Sequence, residues 1–174
     1  MPQDLIHFIV PDDSGLVAIY DPTTYRPFID ANWTLEGILA RFRESAAERS
    51  LLIWSTGGEG NWRVAISRTP VRQVGVREVV GTIEARSGKL FITSYDSLTM
   101  AAQFEDEKLP QPHEKDWYVP VELGIYRCRV LQMYDPAAAT STAVFEQTIP
   151  HFIVELLPTN EVLAPWQAVP WLKL

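Results

Sequence analysis

Several common chemistries lack their raw material in this chain. A single cysteine, Cys128, leaves no partner for an internal disulfide and excludes a multi-cysteine zinc site. Three histidines, His7, His113 and His151, stand far apart, with no His-x-His or His-x-x-x-His pair to pre-set a metal. No Gly-x-Ser-x-Gly elbow offers a hydrolase nucleophile, and no run of about 18 apolar residues offers a transmembrane helix. Positive charge is also short: 15 Lys and Arg against 22 Asp and Glu give a formal net charge of −7. Such a field repels phosphate backbones, which excludes general nucleic-acid binding, and it suits a basic partner. The opening MPQDLIHFIVPDDSG has no basic n-region, so a standard secretion signal is not expected and the cytoplasm is the expected compartment.

What is present reads as one β-rich domain spanning residues 1–174, consistent with about 100–200 residues per domain. Hydrophobic residues make up 47% and charged residues 21%, a globular balance that argues against extensive disorder. The dominant period is two. Leu5–Val10 and Leu16–Tyr20 read as strands joined by the turn residues Pro-Asp-Asp-Ser-Gly, and a hairpin is expected. Leu51–Ser55 and Trp62–Thr69 flank Gly57-Gly58-Glu59-Gly60-Asn61, a second expected hairpin. Val79–Arg86 and Lys89–Tyr95, closed by Ser87-Gly88, are a third. Leu123–Tyr134 and a stretch marked by Phe152, Val154 and Leu156 complete about eight strands. One helix interrupts them. Leu35, Ile38, Leu39, Phe42 and Ala46 form a single apolar stripe behind Thr34, a good N-cap, with Glu36 in the first turn. The expected fold is a mainly β, antiparallel β-sandwich with one amphipathic helix across an edge or end. The segment from Pro136 to Thr142 reads as a flexible connection, and residues 158–174 as an extended tail packed on the body.

The candidate chemistry is thin and points away from catalysis. Cys128 alternates with apolar neighbours in mid-strand, where a thiol behaves as a small hydrophobe. Gly57-Gly58-Glu59-Gly60 precedes a strand rather than a helix, so it lacks the helix N-terminus that a phosphate loop uses. Asp21 and Asp30 are expected as turn and cap residues rather than as a paired-carboxylate site. His113, with Glu107, Glu114 and Asp116 nearby, offers a hard-cation alternative and with it a metal-dependent enzyme, although the ligand spacing of a calcium loop is missing. No catalytic residue, metal ligand or cofactor is assigned.

The stronger signals are acid and aromatic. The stretch EDEKLPQPHEKDWY at 105–118 is a long charged loop, and long loops often carry function. Its Glu105, Asp106, Glu107, Glu114 and Asp116, with Trp117 as anchor, are the candidate contacts for a basic protein partner. An alternative groove of Tyr25, Asp30, Trp33 and Trp62 would suit a sugar or small ligand, because aromatic platforms stack on sugars.

The order of elements also carries a resemblance. Val17-Ala-Ile-Tyr-Asp21, then Ile29-Asp-Ala-Asn-Trp-Thr-Leu-Glu36 opening the helix, then Leu51-Leu-Ile-Trp54 and Leu123-Gly-Ile-Tyr-Arg-Cys-Arg-Val130, resemble the competence protein J family. That family is a small acidic β-rich group of bacterial nuclease inhibitors, similar in build to immunity proteins. The resemblance implies a non-catalytic binding protein whose partner is a basic nuclease or toxin.

Overall fold

The computed structural model describes residues 4–135 and 149–174. The expected connection from Pro136 to Thr142 lies outside the described residues. Among the described residues nine strands and two α-helices follow in the order β1 (Leu5–Asp12), β2 (Leu16–Tyr20), α1 (Leu35–Ala47), β3 (Leu51–Ser55), β4 (Gly60–Ser67), β5 (Arg77–Ala85), β6 (Lys89–Ser94), α2 (Tyr95–Gln103), β7 (Tyr118–Pro120), β8 (Gly124–Gln132) and β9 (Phe152–Pro158). A short 3₁₀ turn at Pro112–Glu114 precedes β7. No helix among the described residues is long and apolar enough to cross a membrane.

The strands form a five-stranded sheet, β1-β4-β9-β8-β5, facing a four-stranded sheet, β3-β2-β6-β7. Val64, Ile66, Ile83, Cys128, Val130 and Phe152 meet Val17, Ile19, Leu52, Trp54, Leu90 and Ile92 in the core between them. The mainly β sandwich expected from period two is therefore the fold. Pairing is antiparallel throughout except between β4 and β9, which run parallel.

The three expected hairpins do not exist as pairs. β1 pairs with β4, whereas β2 pairs with β3 and β6. Each tight connection, β1 to β2, β3 to β4 and β5 to β6, instead carries the chain from one sheet to the other. In such an arch the two strands face each other through their inner side chains rather than through a hydrogen-bond ladder, and both keep period-two alternation. Two buried aspartates satisfy the polar groups that the arches turn inward. Asp12 Oδ1 accepts the amides of Ser14 (3.1 Å) and Gly15 (3.0 Å), and its Oδ2 accepts Trp62 Nε1 (3.2 Å). Gly15, at φ +80°, lies against Gly58, whose backbone nitrogen would sit 3.3 Å from any added Cβ. Asp21 Oδ2 accepts the amides of Arg86 (2.6 Å) and Ser87 (2.9 Å), tying the β5–β6 arch to the end of β2.

Helix α1 has the expected bounds, with Thr34 Oγ1 accepting the Gly37 amide at 3.0 Å as N-cap. Ile38, Phe42 and Ala46 are buried, while Leu35 at the start of the stripe remains exposed. The helix lies on the outer face of the four-stranded sheet rather than at an edge. There Ile38 and Phe42 pack with Ala18, Tyr20, Leu51 and Ile53 in a second core. A second helix, α2, adds Leu98 and Ala102 to that layer. β2 and β3 are thus buried on both faces, which is why Leu51–Ser55 is a compact apolar run rather than an alternating one.

After β9 the chain runs along the open side of the sandwich, between the β5 edge and the β3 edge. Leu163 donates its amide to Thr82 Oγ1 (3.0 Å), Trp166 Nε1 donates to the Val80 carbonyl (2.8 Å), and the Pro170 carbonyl accepts the Ser55 amide (3.0 Å). Both edge strands are covered in this way.

Candidate functional site

The fold splits the acidic loop into an inward half and an outward half. The 3₁₀ turn, started by Pro112, points Glu114 into the protein, where it is completely buried and Thr93 Oγ1 donates to its Oε1 at 2.6 Å. Its Oε2 is buried as well. Burial pushes this carboxyl above the usual range, against the pull of the Thr93 and Ser97 hydroxyls. Glu114 is therefore a pin that holds the loop to β6, not a surface contact. Trp117 is drawn in with it. Its ring is half-buried against the inter-sheet core and edge-on to His113 at 5.5 Å, and its carbonyl accepts the Ile92 amide at 2.9 Å. An aromatic residue next to an edge strand packs inward here, so Trp117 is not an exposed anchor.

Glu105, Asp106 and Asp116 face solvent and Glu107 is half-buried. The apolar groups beside the first of these come from α2, which sequence reasoning missed. Met100 and Phe104 are each 41% exposed, and the Phe104 amide donates to the Met100 carbonyl (3.0 Å) as α2 ends. The chain before α1 completes the surface. The amides of Ile29 (3.0 Å) and Asp30 (3.3 Å) both donate to the Ala102 carbonyl, which sets Phe28, 40% exposed, and Asp30 beside the end of α2. The result is three exposed apolar side chains, Phe28, Met100 and Phe104, bordered by Asp30, Glu105 and Asp106. Exposed large apolar groups rimmed by charge mark interaction surfaces more often than the bulk surface does. The sequence signal for it is the run Met100 to Asp106, in which Met100 and, four residues on, Phe104 lead into the carboxylates Glu105 and Asp106.

The alternative groove does not assemble. Trp62 faces inward from β4, stacked on Tyr134 at 5.4 Å in the inter-sheet core. Tyr25 is buried in the other core, edge-on to Tyr20 at 5.9 Å, and burial raises its phenol. Trp33 packs half-buried on that second core, and Asp30 makes a turn by accepting the Asn32 amide at 2.9 Å. A sheet and its core stand between Trp62 and Tyr25, so the four line no common surface.

Among the described residues no three His, Cys, Asp or Glu side chains are grouped to hold a metal ion, the neighbourhood of His113 included. His7 is exposed on β1, while His151 is buried with Nδ1 accepting the Arg63 amide at 2.9 Å. Cys128 is buried, and burial pushes its thiol up to about 12, so it is a core group without nucleophilic character near neutral pH. Two arginines of β8 in the five-stranded sheet are paired with carboxylates. Arg129 meets Glu155 (3.2 Å) and Glu78 (3.5 Å), and Arg127 meets Glu155 (3.6 Å).

No family model and no curated protein matches the chain. Two solved structures do. A protein titled crocagin biosynthetic gene J superposes with a TM-score of 0.63 at 17% identity, over 92% of this chain and 100% of that one. ComJ from Bacillus subtilis, titled an inhibitor of the DNA degrading activity of NucA, superposes with a TM-score of 0.52 at 9% identity, over 91% of this chain and 100% of that one. The chain has a ComJ-like fold. At these identities the ComJ likeness concerns architecture.

Proposed function

We propose that this ComJ-like protein is a non-catalytic bacterial binding protein that inhibits a basic nuclease or a related toxin. The observation that carries the reading is the fold shared with ComJ over its whole length, since ComJ itself is titled a nuclease inhibitor. Net charge −7 supports a basic target, because opposite charge speeds encounter while apolar groups slow release. As proposed, the protein acts in the cytoplasm and contacts its target through the acidic, apolar end of α2.

The test mixes the purified chain with the nuclease encoded beside its gene. Co-elution on size exclusion at low salt and loss of DNA cleavage at equimolar ratio are the expected results, with association slowing as salt rises. Separate elution together with undiminished cleavage would overturn the reading. The likeness to the crocagin biosynthetic protein supports a second one, an accessory binding protein in a biosynthetic gene cluster. That reading gains if the neighbouring genes encode biosynthetic enzymes and no nuclease.

A further inference from the structure

A groove of about 580 Å³ lies away from the acidic surface, between the β1–β2 and β3–β4 arches on one side and Arg77, Trp171 and Lys173 on the other. We propose that it binds the carboxylate of a small organic molecule through the Arg77 guanidinium. The volume falls in the range of sites that hold small ligands. Gly15, Gly57 and Gly58 line the arch side with Ser14 and Ser55, so backbone and small groups border the groove there.

Arg77 is held in two ways. Opposite it in register on β8 stands the buried Gln132, whose Oε1 accepts Arg77 Nε at 2.5 Å. The guanidinium also lies over the Trp171 ring, with Cζ 4.5 Å from the centroid. These contacts fix the plane and one edge of the group, while Nη1 and Nη2 have no hydrogen-bond partner among the described residues. A fixed planar pair of N–H donors matches the two oxygens of a carboxylate or the equivalent oxygens of a phosphate. Lys173 adds a second cation to the lining, and the apolar residues beside it favour an organic carboxylate over inorganic phosphate. Trp171 and Leu172 supply an apolar wall for the body of the ligand.

One feature fits such a site better than packing alone. Trp171 takes φ +67°, a left-handed conformation that a bulky side chain rarely adopts and that tends to be kept where function requires it. The strained residue is the one that sets an indole beneath the guanidinium.

The experiment titrates the full chain, labelled with nitrogen-15, with hexanoate, benzoate and inorganic phosphate in separate arms. The Trp171 indole signal, assigned by its loss in Trp171→Phe, and the Arg77 Nε signal report occupancy. A carboxylate is expected to shift both saturably, with a dissociation constant of about 1 mM or tighter. Arg77→Gln should weaken binding at least tenfold and Lys173→Gln by a few-fold, with the remaining indole signals unmoved as the check that each variant is folded. Saturation by phosphate alone would overturn the choice of carboxylate. No saturable shift in any arm, or undiminished binding in Arg77→Gln, would overturn the site. None of these outcomes depends on whether the protein inhibits a nuclease.

Discussion

The closure of the sandwich by its C-terminal tail depends on the absence of one methyl group. Gly81 in β5 pairs with Cys128, and a Cβ added there would lie 3.0 Å from Leu52 Cδ2 and 3.0 Å from Cε2 and Cζ2 of the Trp166 ring. Overpacking of that kind costs about 1–3 kcal/mol. The gain from replacing glycine by alanine within a strand returns roughly 0.5–1 kcal/mol, so Gly81→Ala should lose about 1–2 kcal/mol net. Trp166→Ala removes the other side of the contact together with its hydrogen bond to the Val80 carbonyl. Its own cost is about 2–4 kcal/mol, below a full core truncation because the ring is half-exposed. In the double variant the added methyl enters the space left by the indole, and Leu52 can turn away from it. Gly81→Ala should then cost close to nothing, a coupling of about 1–2 kcal/mol. Urea denaturation of the four proteins reads this directly, as a midpoint shift of roughly 0.5–1 M for Gly81→Ala at an m-value near 2 kcal/mol/M. Additivity within about 0.5 kcal/mol would refute the argument, because it would mean that the tail does not press on β5.

Asp21→Asn should destabilise by about 1–3 kcal/mol, since Asp21 gathers the amides of Thr23, Arg86 and Ser87. Burial alone would raise the Asp21 carboxyl, but the Thr23 hydroxyl and those amides outweigh it and hold it below its ordinary value. Its contribution is therefore complete above the unfolded-state value and is lost as pH falls through the lower folded one. Asp21→Asn should flatten that acid limb in denaturation midpoints measured from neutral pH downward. Glu114 has the opposite sign: its raised carboxyl favours folding at low pH, and that contribution is lost as pH rises through the folded value. Glu114→Gln should accordingly be tolerated best at neutral pH, and a larger loss there than in acid would contradict the sign. Phe104→Ala should leave the melting temperature nearly unchanged and weaken the proposed complex with a nuclease about tenfold, whereas Asp106→Lys should mainly slow association at low salt, both read by surface plasmon resonance. Cys128 should resist a thiol reagent in the native protein and react at the rate of unfolding, followed by absorbance across denaturant concentrations.

Much of the local structure is written plainly in the chain, and the pairing is not. The α1 helix is legible because Thr34, Glu36 and the stripe through Phe42 agree at every level. The strands are legible because alternation marks any face that is buried. Alternation, however, is the same for a hairpin and for an arch. What separates them is Asp12 and Asp21, turn residues by type whose buried carboxylates also accept from elsewhere in the chain, Asp12 from the Trp62 indole and Asp21 from the Arg86 and Ser87 amides. α2 is short and buries mostly small groups, Ser97, Ala101 and Ala102 beside Leu98, so its periodicity hardly rises above the background. The acidic loop misleads for a related reason. In a run of Glu, Lys and Asp every charge reads as solvated, yet a proline-started turn sends Glu114 beneath the Thr93 hydroxyl.

The layering also explains where recognition is left to occur. The four-stranded sheet has one face on the inter-sheet core and the other on the helices, so neither is available to a partner. The outer face of the five-stranded sheet carries arginines held by Glu78 and Glu155, which leaves little net field there. Among the described residues, two places where chain leaves the layers stand out: the end of α2, and the arches with the tail. Their chemistries are opposite, carboxylates around apolar side chains in the first and a stacked guanidinium in the second. A single helix connects them. Asp96 in the first turn of α2 accepts the Ser14 hydroxyl (2.7 Å) and the Asp13 amide (2.9 Å) of the arch that borders the groove, and the other end of α2 carries Met100 and Phe104. Because a helix of nine residues behaves as a stiff rod, the arch fixes the position from which Phe104 is presented.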